Sequence, residues 1–185
     1  MAENKRRTSA ATQQTADRTA QIARDAYGRL LALLASSTRD IAAAEDALAD
    51  AFSQALMKWP ERGIPTNPQA WLLTVSKNRL IDQARSAAER TRDPTPVEEH
   101  LGLVMTQIDP ETIPDERLKL LFVCAHPAID EKIRTPLMLQ SVLGLDAAPI
   151  GPAFLLPATT MAQRLVRAKR KIRDAHITFE IPEAD

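Results

Sequence analysis

Prolines divide this chain into helix-length apolar stretches, and that punctuation constrains the fold more than any other feature. The segment Pro60-Glu-Arg-Gly-Ile-Pro-Thr-Asn-Pro68 carries three prolines and a glycine. It cannot continue a hydrogen-bonded helix, because proline lacks the N–H and clashes with the preceding turn. From Arg92 to Pro114 the composition shifts to prolines, acids and few regularly spaced apolar residues, which predicts a linker and a domain boundary. Between the breaks, apolar residues recur at helical spacing and no stretch reads as a convincing strand. The expected fold class is therefore all-α, two small helical domains joined by a flexible linker.

Composition agrees. Hydrophobic residues make up 44% of the 185 positions but aromatics only 4%, so Ala and Leu must fill the cores, as in small helical bundles. A single cysteine, Cys124, excludes an intrachain disulfide framework. No apolar run approaches the roughly 20 residues of a membrane span, and the N-terminus lacks a secretory apolar region. The expected location is cytoplasmic, with no membrane partner. Twenty-four basic and 24 acidic side chains cancel, but unevenly. Acids gather in Asp40 to Asp50 and Asp93 to Glu116, while the basic groups concentrate near the end of the chain.

The expected organisation is a disordered leader over residues 1–14, a first domain over 15–91, the linker over 92–113, a second domain over 114–176 and a tail over 177–185. A first helix is predicted from about Asp17 to Ala35, with Ile22, Ala26, Tyr27, Leu30, Leu31 and Leu34 on one face. A second begins at an Asp40 N-cap and is expected to stop at Trp59-Pro60, with Ile41, Leu48, Phe52, Ala55, Leu56 and Trp59 as its apolar stripe. Asn67-Pro68 reads as an N-cap followed by proline at the first helical position, opening a third helix through Trp71, Leu72, Leu73, Leu80 and Ile81. Later helices are expected at Asp115 to Ala125, Asp130 to Leu143, about Ala147 to Leu155, and Thr159 to Arg173. The last two, joined by a turn containing Pro157, have helix-turn-helix form.

The stretch Thr159 to Arg173 holds six basic residues and no acidic one. At about 100° per residue, Met161, Leu165, Ala168 and Ile172 share a face, while Thr160, Gln163, Arg164, Arg167, Arg170 and Lys171 spread over the other. Lys and Arg displace counterions from phosphates, and Arg and Gln can pair with base edges. This helix reads as a DNA-recognition helix.

The layout and its wording resemble a bacterial RNA polymerase sigma factor of the extracytoplasmic-function (ECF) group in the sigma-70 family. Asp40-Ile-Ala-Ala-Ala-Glu-Asp-Ala-Leu-Ala-Asp-Ala-Phe52 looks like the region 2 helix that docks on polymerase. Trp71-Leu-Leu-Thr-Val-Ser-Lys-Asn-Arg-Leu-Ile-Asp82 looks like the promoter-melting helix. Ile113 to Pro127 and Thr160 to Ile172 resemble one subgroup, whose members usually carry a C-terminal helical-repeat extension, and the chain is expected to be the two sigma domains without it. The first domain is thus expected to be a region 2 bundle and the second a region 4 helix-turn-helix. Pro136, Pro149, Gly151 and Pro152 depart from the subgroup. Each internal proline costs about 3 kcal/mol in a straight helix, so the first helix of the helix-turn-helix is expected to be kinked, short or late in starting.

The resemblance implies docking on core polymerase through Asp46, Asp50, Ser53, Gln54 and Met57. It implies opening of the −10 element through Asn67, Lys77, Asn78, Arg79 and Arg85. It implies reading of the −35 element through Thr159, Thr160, Gln163, Arg164 and Arg167, with Lys169, Arg170 and Lys171 on phosphates. Trp59 reads as core, and Trp71 reads more readily as core than as a stacking platform. The implied partners are core RNA polymerase, promoter DNA and an anti-sigma factor.

No glycine-rich phosphate loop, partnered nucleophile or cluster of metal ligands is visible, so no enzymatic activity, cofactor or metal is expected. Cys124 and His126 make two potential ligands, not a closed site, and Cys124 reads as a small buried hydrophobe. Two rival readings are a sigma-like mimic that binds an anti-sigma factor without productive DNA binding, and a dimeric helix-turn-helix repressor. The second lacks an obvious dimerisation segment.

Overall fold

A computed structural model describes residues 2–91 and 115–182. The expected linker, residues 92–113, lies outside the described residues, as does the end of the tail. Among the described residues all regular structure is helical.

The first helix, α1, runs Ala2–Thr38. It begins well before the predicted Asp17 and takes in the stretch expected to be a disordered leader. No proline interrupts it, and its first half is built from Ala, Arg, Lys and Gln, all good helix formers, with Ser and Thr between them. Arg39 then takes the left-handed conformation at φ 55°, which turns the chain. Thr38 Oγ1 accepts from Asp40 N at 3.2 Å, and Asp40 Oδ1 accepts from Ala42 N and Ala43 N at 3.0 and 3.1 Å. That cap supplies two of the donors a helix start leaves without partners, and α2 (Ile41–Arg62) begins as expected.

α2 does not stop at Pro60. It continues to Arg62 and ends where Gly63 N donates to Trp59 O at 2.9 Å, with Gly63 at φ 83°. Within the last turn a proline removes one bond to Leu56 O, and both residues lie on the exposed side, so the helix tolerates it. α3 (Pro68–Thr91) opens as expected, with Ala70 N donating to Asn67 Oδ1 at 3.0 Å. α2 lies between α1 and α3. Its buried Ala44, Ala47, Ala51 and Ala55 allow that close approach, and Leu30, Leu31, Leu34, Leu48, Leu72 and Leu73 are at most 1% exposed around them. Each such side chain contributes about 1.5–3 kcal/mol by leaving water.

The C-terminal group comprises α4 (Arg117–Ala125), α5 (Glu131–Ser141), α6 (Ala147–Ala153) and α7 (Ala158–Asp174). Asp130 caps α5 by accepting from Lys132 N at 3.0 Å. Pro136 sits buried inside α5 without ending it. The prolines act as expected on α6, which is only seven residues long. Pro149 falls in its first turn, where the missing N–H is cheap, and Pro152 falls in its last. Leu156 N then donates to Gly151 O at 2.9 Å and Leu155 takes φ 56°, closing the turn into α7. A Cβ on Gly151 would lie 2.9 Å from Leu156 O, so glycine permits the tight corner.

The two groups touch. α1 packs on α4 and α5, α2 packs on α7, and the buried apolar residues of both groups form one cluster. After α7 the chain folds back: Ile177 N donates to Ile172 O at 3.1 Å, and Ile177 and Phe179 are buried, at 6% and 8% exposed.

Candidate nucleic-acid and polymerase interfaces

α7 divides as its periodicity predicts, with Met161, Leu165, Ala168 and Ile172 buried. Thr159, Gln163, Arg164, Arg167, Arg170 and Lys171 are exposed and Thr160 is half-buried. No side chain caps the first turn, so its N–H groups are available to an anion. A cleft of about 530 Å³ lies beside this face, lined by Ile129, Asp130, Lys132, Ile133, Arg164, Arg167 and Lys171. Lys132 comes from the start of α5. Sequence reasoning missed it because nothing local announces that α5 begins beside α7.

Lys169 is a correction. Expected on phosphates, it is 6% exposed and ion-paired with the Glu45 carboxylate of α2, 124 residues away in sequence. It sits at the border of the apolar stripe, about 100° from Ala168 and 60° from Ile172, where a neighbouring helix can claim it. Burial pushes the Glu45 carboxyl above its ordinary value, and Lys169 opposes that shift.

The loop between α2 and α3 and the start of α3 form a second cleft, about 420 Å³, lined by Lys58, Trp59, Arg62, Ile64, Thr66 and Trp71 among others. The Trp59 and Trp71 rings meet edge to face, 5.4 Å apart and at 63°. Lys58 Nζ lies 5.9 Å from the Trp71 ring centre, within range of a cation–π attraction. Trp59 is 2% exposed, as expected of core, but its Nε1 has no hydrogen-bond partner. Trp71 is half-buried and lines the cleft, between the two roles weighed for it. Lys58, Arg62 and Thr66 join this site without having been singled out, since the turn that gathers them depends on α2 running past Pro60.

Asn67 is engaged as the α3 cap. Asn78, Arg79 and Arg85 are exposed along α3, whereas Lys77 is half-buried, and desolvation lowers the pKa of its ammonium. On α2, Asp46 and Ser53 are exposed, Asp50 and Gln54 half-buried, and Met57 65% exposed. These five surround the side of the helix opposite Leu48. Gln54 Oε1 accepts from Lys58 Nζ at 2.8 Å. Leu56, expected on the buried stripe, is 50% exposed. It sits about 80° around from Leu48, so it adds apolar surface beside Met57. Arg79 Nε and Asp50 Oδ2 pair at 2.7 Å, joining one member of the −10 set to one of the docking set.

Cys124 is buried, and burial pushes its thiol up to about 12. His126 Nδ1 accepts from Ala128 N at 3.1 Å. Among the described residues no group of three or more His, Cys, Asp or Glu side chains is placed to hold a metal, and no helix is long and apolar enough to cross a membrane.

With this geometry in place, comparison with known proteins assigns the N-terminal group. Residues 22–90 match the family model of sigma-70 region 2. The chain is 35% identical over 151 residues to an uncharacterized protein of Rhizobium meliloti (strain 1021), covering 79% of this chain and 36% of that one. It is 30% identical over 151 residues to a probable ECF RNA polymerase sigma factor, SigI, of Mycobacterium tuberculosis (strain ATCC 25618 / H37Rv), covering 78% of this chain and 51% of that one. The same values hold for SigI of strain CDC 1551 / Oshkosh. The chain therefore spans between about a third and a half of the length of these relatives. No solved structure matches it. The region 2 domain and the similarity to a probable extracytoplasmic-function sigma factor together support membership of the sigma-70 family, in its extracytoplasmic-function group.

Proposed function

We propose that the chain acts as an RNA polymerase sigma factor, lending promoter specificity while the polymerase supplies the chemistry. The observation that carries this reading is the outward face of α7, where Gln163, Arg164, Arg167, Arg170 and Lys171 all stand in solvent without an acidic residue among them. In this account the α7 N-terminus enters the major groove of the −35 element, so that Thr159, Thr160, Gln163, Arg164 and Arg167 meet base edges and nearby phosphates. Arg170 and Lys171 lie further along the helix and contact phosphate.

At the −10 element, the cleft beside Trp71 receives an unstacked base, and Asn78, Arg79 and Arg85 follow the exposed strand. Lys77 and Asn67 support that surface, Asn67 chiefly by fixing the start of α3 against the loop. Asp46, Asp50, Ser53, Gln54 and Met57, with Leu56 beside them, dock on core polymerase. Because Arg79 holds Asp50 here, docking and strand capture compete for that pair. The partners are core RNA polymerase and promoter DNA, and the working location is the cytoplasm, where both are found.

The test is binding of the purified chain to core polymerase, followed by run-off transcription from a promoter library in the same sample. Binding with selective transcripts is the expected result. Failure to bind polymerase would favour the sigma-like mimic, for which an anti-sigma factor is the partner.

A further inference from the structure

The two flanks of α7 treat their cations differently. On one, Lys169 pairs with the Glu45 carboxylate and Arg173 with Asp174 and Asp40, so both positive charges are met within the chain. About 140–180° around the helix, Arg164 and Lys171 lie two turns apart on nearly one line, with Arg167 between them. These three and Lys132 of α5 are exposed, and among the described residues none of the four forms an ion pair. All four line the cleft of about 530 Å³ between α5 and α7.

The floor of the cleft is apolar, with Ile129, Ile133 and Ala168 buried. Low-dielectric walls beneath like charges focus a positive field into the space above them. Asp130 is the one carboxylate in the lining, and its Oδ1 is occupied as the α5 cap, accepting from Lys132 N. Four cations therefore face one engaged carboxylate. The turn that carries Lys132 is braced as well. Arg134 Nε donates to Ile129 O at 2.9 Å and its Nη2 to Pro127 O at 3.2 Å, while Ala128 N donates to His126 Nδ1 at 3.1 Å. Lys132 springs from backbone that is already held, so little order has to be imposed on that turn when an anion arrives.

We propose that this cleft seats a phosphate of the upstream duplex, and that Lys132 reaches that phosphate from α5 and so fixes how α7 lies in the groove. The inference rests on the reading of α7 as the helix that meets upstream DNA. The major groove, about 12 Å wide, is nearly filled by a helix of about 10–12 Å diameter. A cation carried beside the inserted helix, on a second element, therefore faces the sugar–phosphate wall and not the base edges. Such contacts set register and orientation and carry no sequence information. Lysine suits the task, since a compact ammonium on a flexible stem meets phosphate as a point charge. Lys132 is a positioning contact, and the outward row of α7 keeps the reading of bases.

The experiment measures binding of the full chain, across a range of salt, to a duplex carrying its preferred upstream sequence, selected from a random library. Lys132→Ala should weaken binding about three- to tenfold and lower the slope of log affinity against log salt by about 0.9, the counterion release of one phosphate. The ratio of preferred to unrelated duplex should stay the same. Lys132→Arg should keep the slope. Lys119→Ala removes a cation that lines a different cleft, and should change neither quantity. Neutral methylphosphonate, placed at one linkage at a time, should reveal a position that weakens the unmodified chain and leaves Lys132→Ala unaffected. A disturbed start of α5 would produce no such coupling. An unchanged slope in Lys132→Ala, the lack of any coupled linkage, or no salt-dependent duplex binding at all would overturn the seat. Displacement of the duplex by pyrophosphate beyond the effect of chloride at equal ionic strength would give the cleft to a free phosphorylated ligand and overturn it too. A coupled linkage in a chain that does not bind polymerase would keep the seat and remove the sigma reading.

Discussion

The N-terminal and C-terminal groups solve the same packing problem with different material. α1, α2 and α3 are long, and their interior is a set of fully buried leucines around an alanine-rich central helix. The C-terminal helices are shorter and carry prolines within α5 and α6. They leave Leu143, Leu145 and Leu155 at 62%, 41% and 94% exposed. Small domains bury proportionally less surface, and this one gains burial by leaning on α1 and α2. The region 2 match, residues 22–90, falls within the first of these groups. The division also separates two kinds of charge. The acidic face of α2 and the basic face of α7 stand on different groups, so the docking and upstream-reading roles proposed for them can be tested independently.

The largest effect that probes this contrast is core truncation. Leu48→Ala should cost about 2–5 kcal/mol in urea unfolding, because the alanine-rich surroundings of α2 cannot collapse into the space. A loss under about 1 kcal/mol would mean that the first group is as loosely packed as the second. Next, Arg164→Ala should lower affinity for the preferred upstream sequence by about 1–3 kcal/mol and relax preference there, while Lys171→Ala should mainly reduce the salt dependence of binding. Equal losses on every sequence from both changes would show that α7 does not divide reading from phosphate contact.

Charge reversal at Asp46 and Asp50 together should weaken core polymerase binding about tenfold at moderate salt, with little effect on binding to upstream DNA. Unchanged affinity would remove α2 as the docking face. The smallest expected effect lies in the α6–α7 turn. Leu155 is 94% exposed and held at φ 56°, a conformation that costs a side-chain-bearing residue about 1 kcal/mol. Leu155→Gly should therefore raise stability by up to about 1 kcal/mol, read as a higher melting temperature. A lower one would show that the exposed leucine packs against something in solution.

Much of this was legible from local chemistry. Asp40, Asn67-Pro68 and Asp130 announce helix starts because a cap needs only a side chain and the next two or three N–H groups. The amphipathic split of α7 follows from period alone. What the sequence did not reveal is long-range or depends on context. α1 reaches back to Ala2 through residues too polar to show an apolar stripe. α2 passes Pro60 because a proline in the last turn sacrifices only one bond. Lys169 turns inward because Glu45 sits on a neighbouring helix, and no pattern within Thr159 to Arg173 encodes that neighbour. Lys58 and Arg62 join the Trp71 cleft for the same reason, through a turn whose position the proline pattern placed two residues early.

The most direct test of the account is run-off transcription by core polymerase supplied with the purified chain and a promoter library. The account predicts stable binding and transcripts from a restricted set of promoters sharing two separated elements, with Arg164→Ala changing which upstream sequences are chosen. Binding with transcripts indifferent to upstream sequence would contradict the role of α7, and no binding at all would contradict the sigma-factor reading itself.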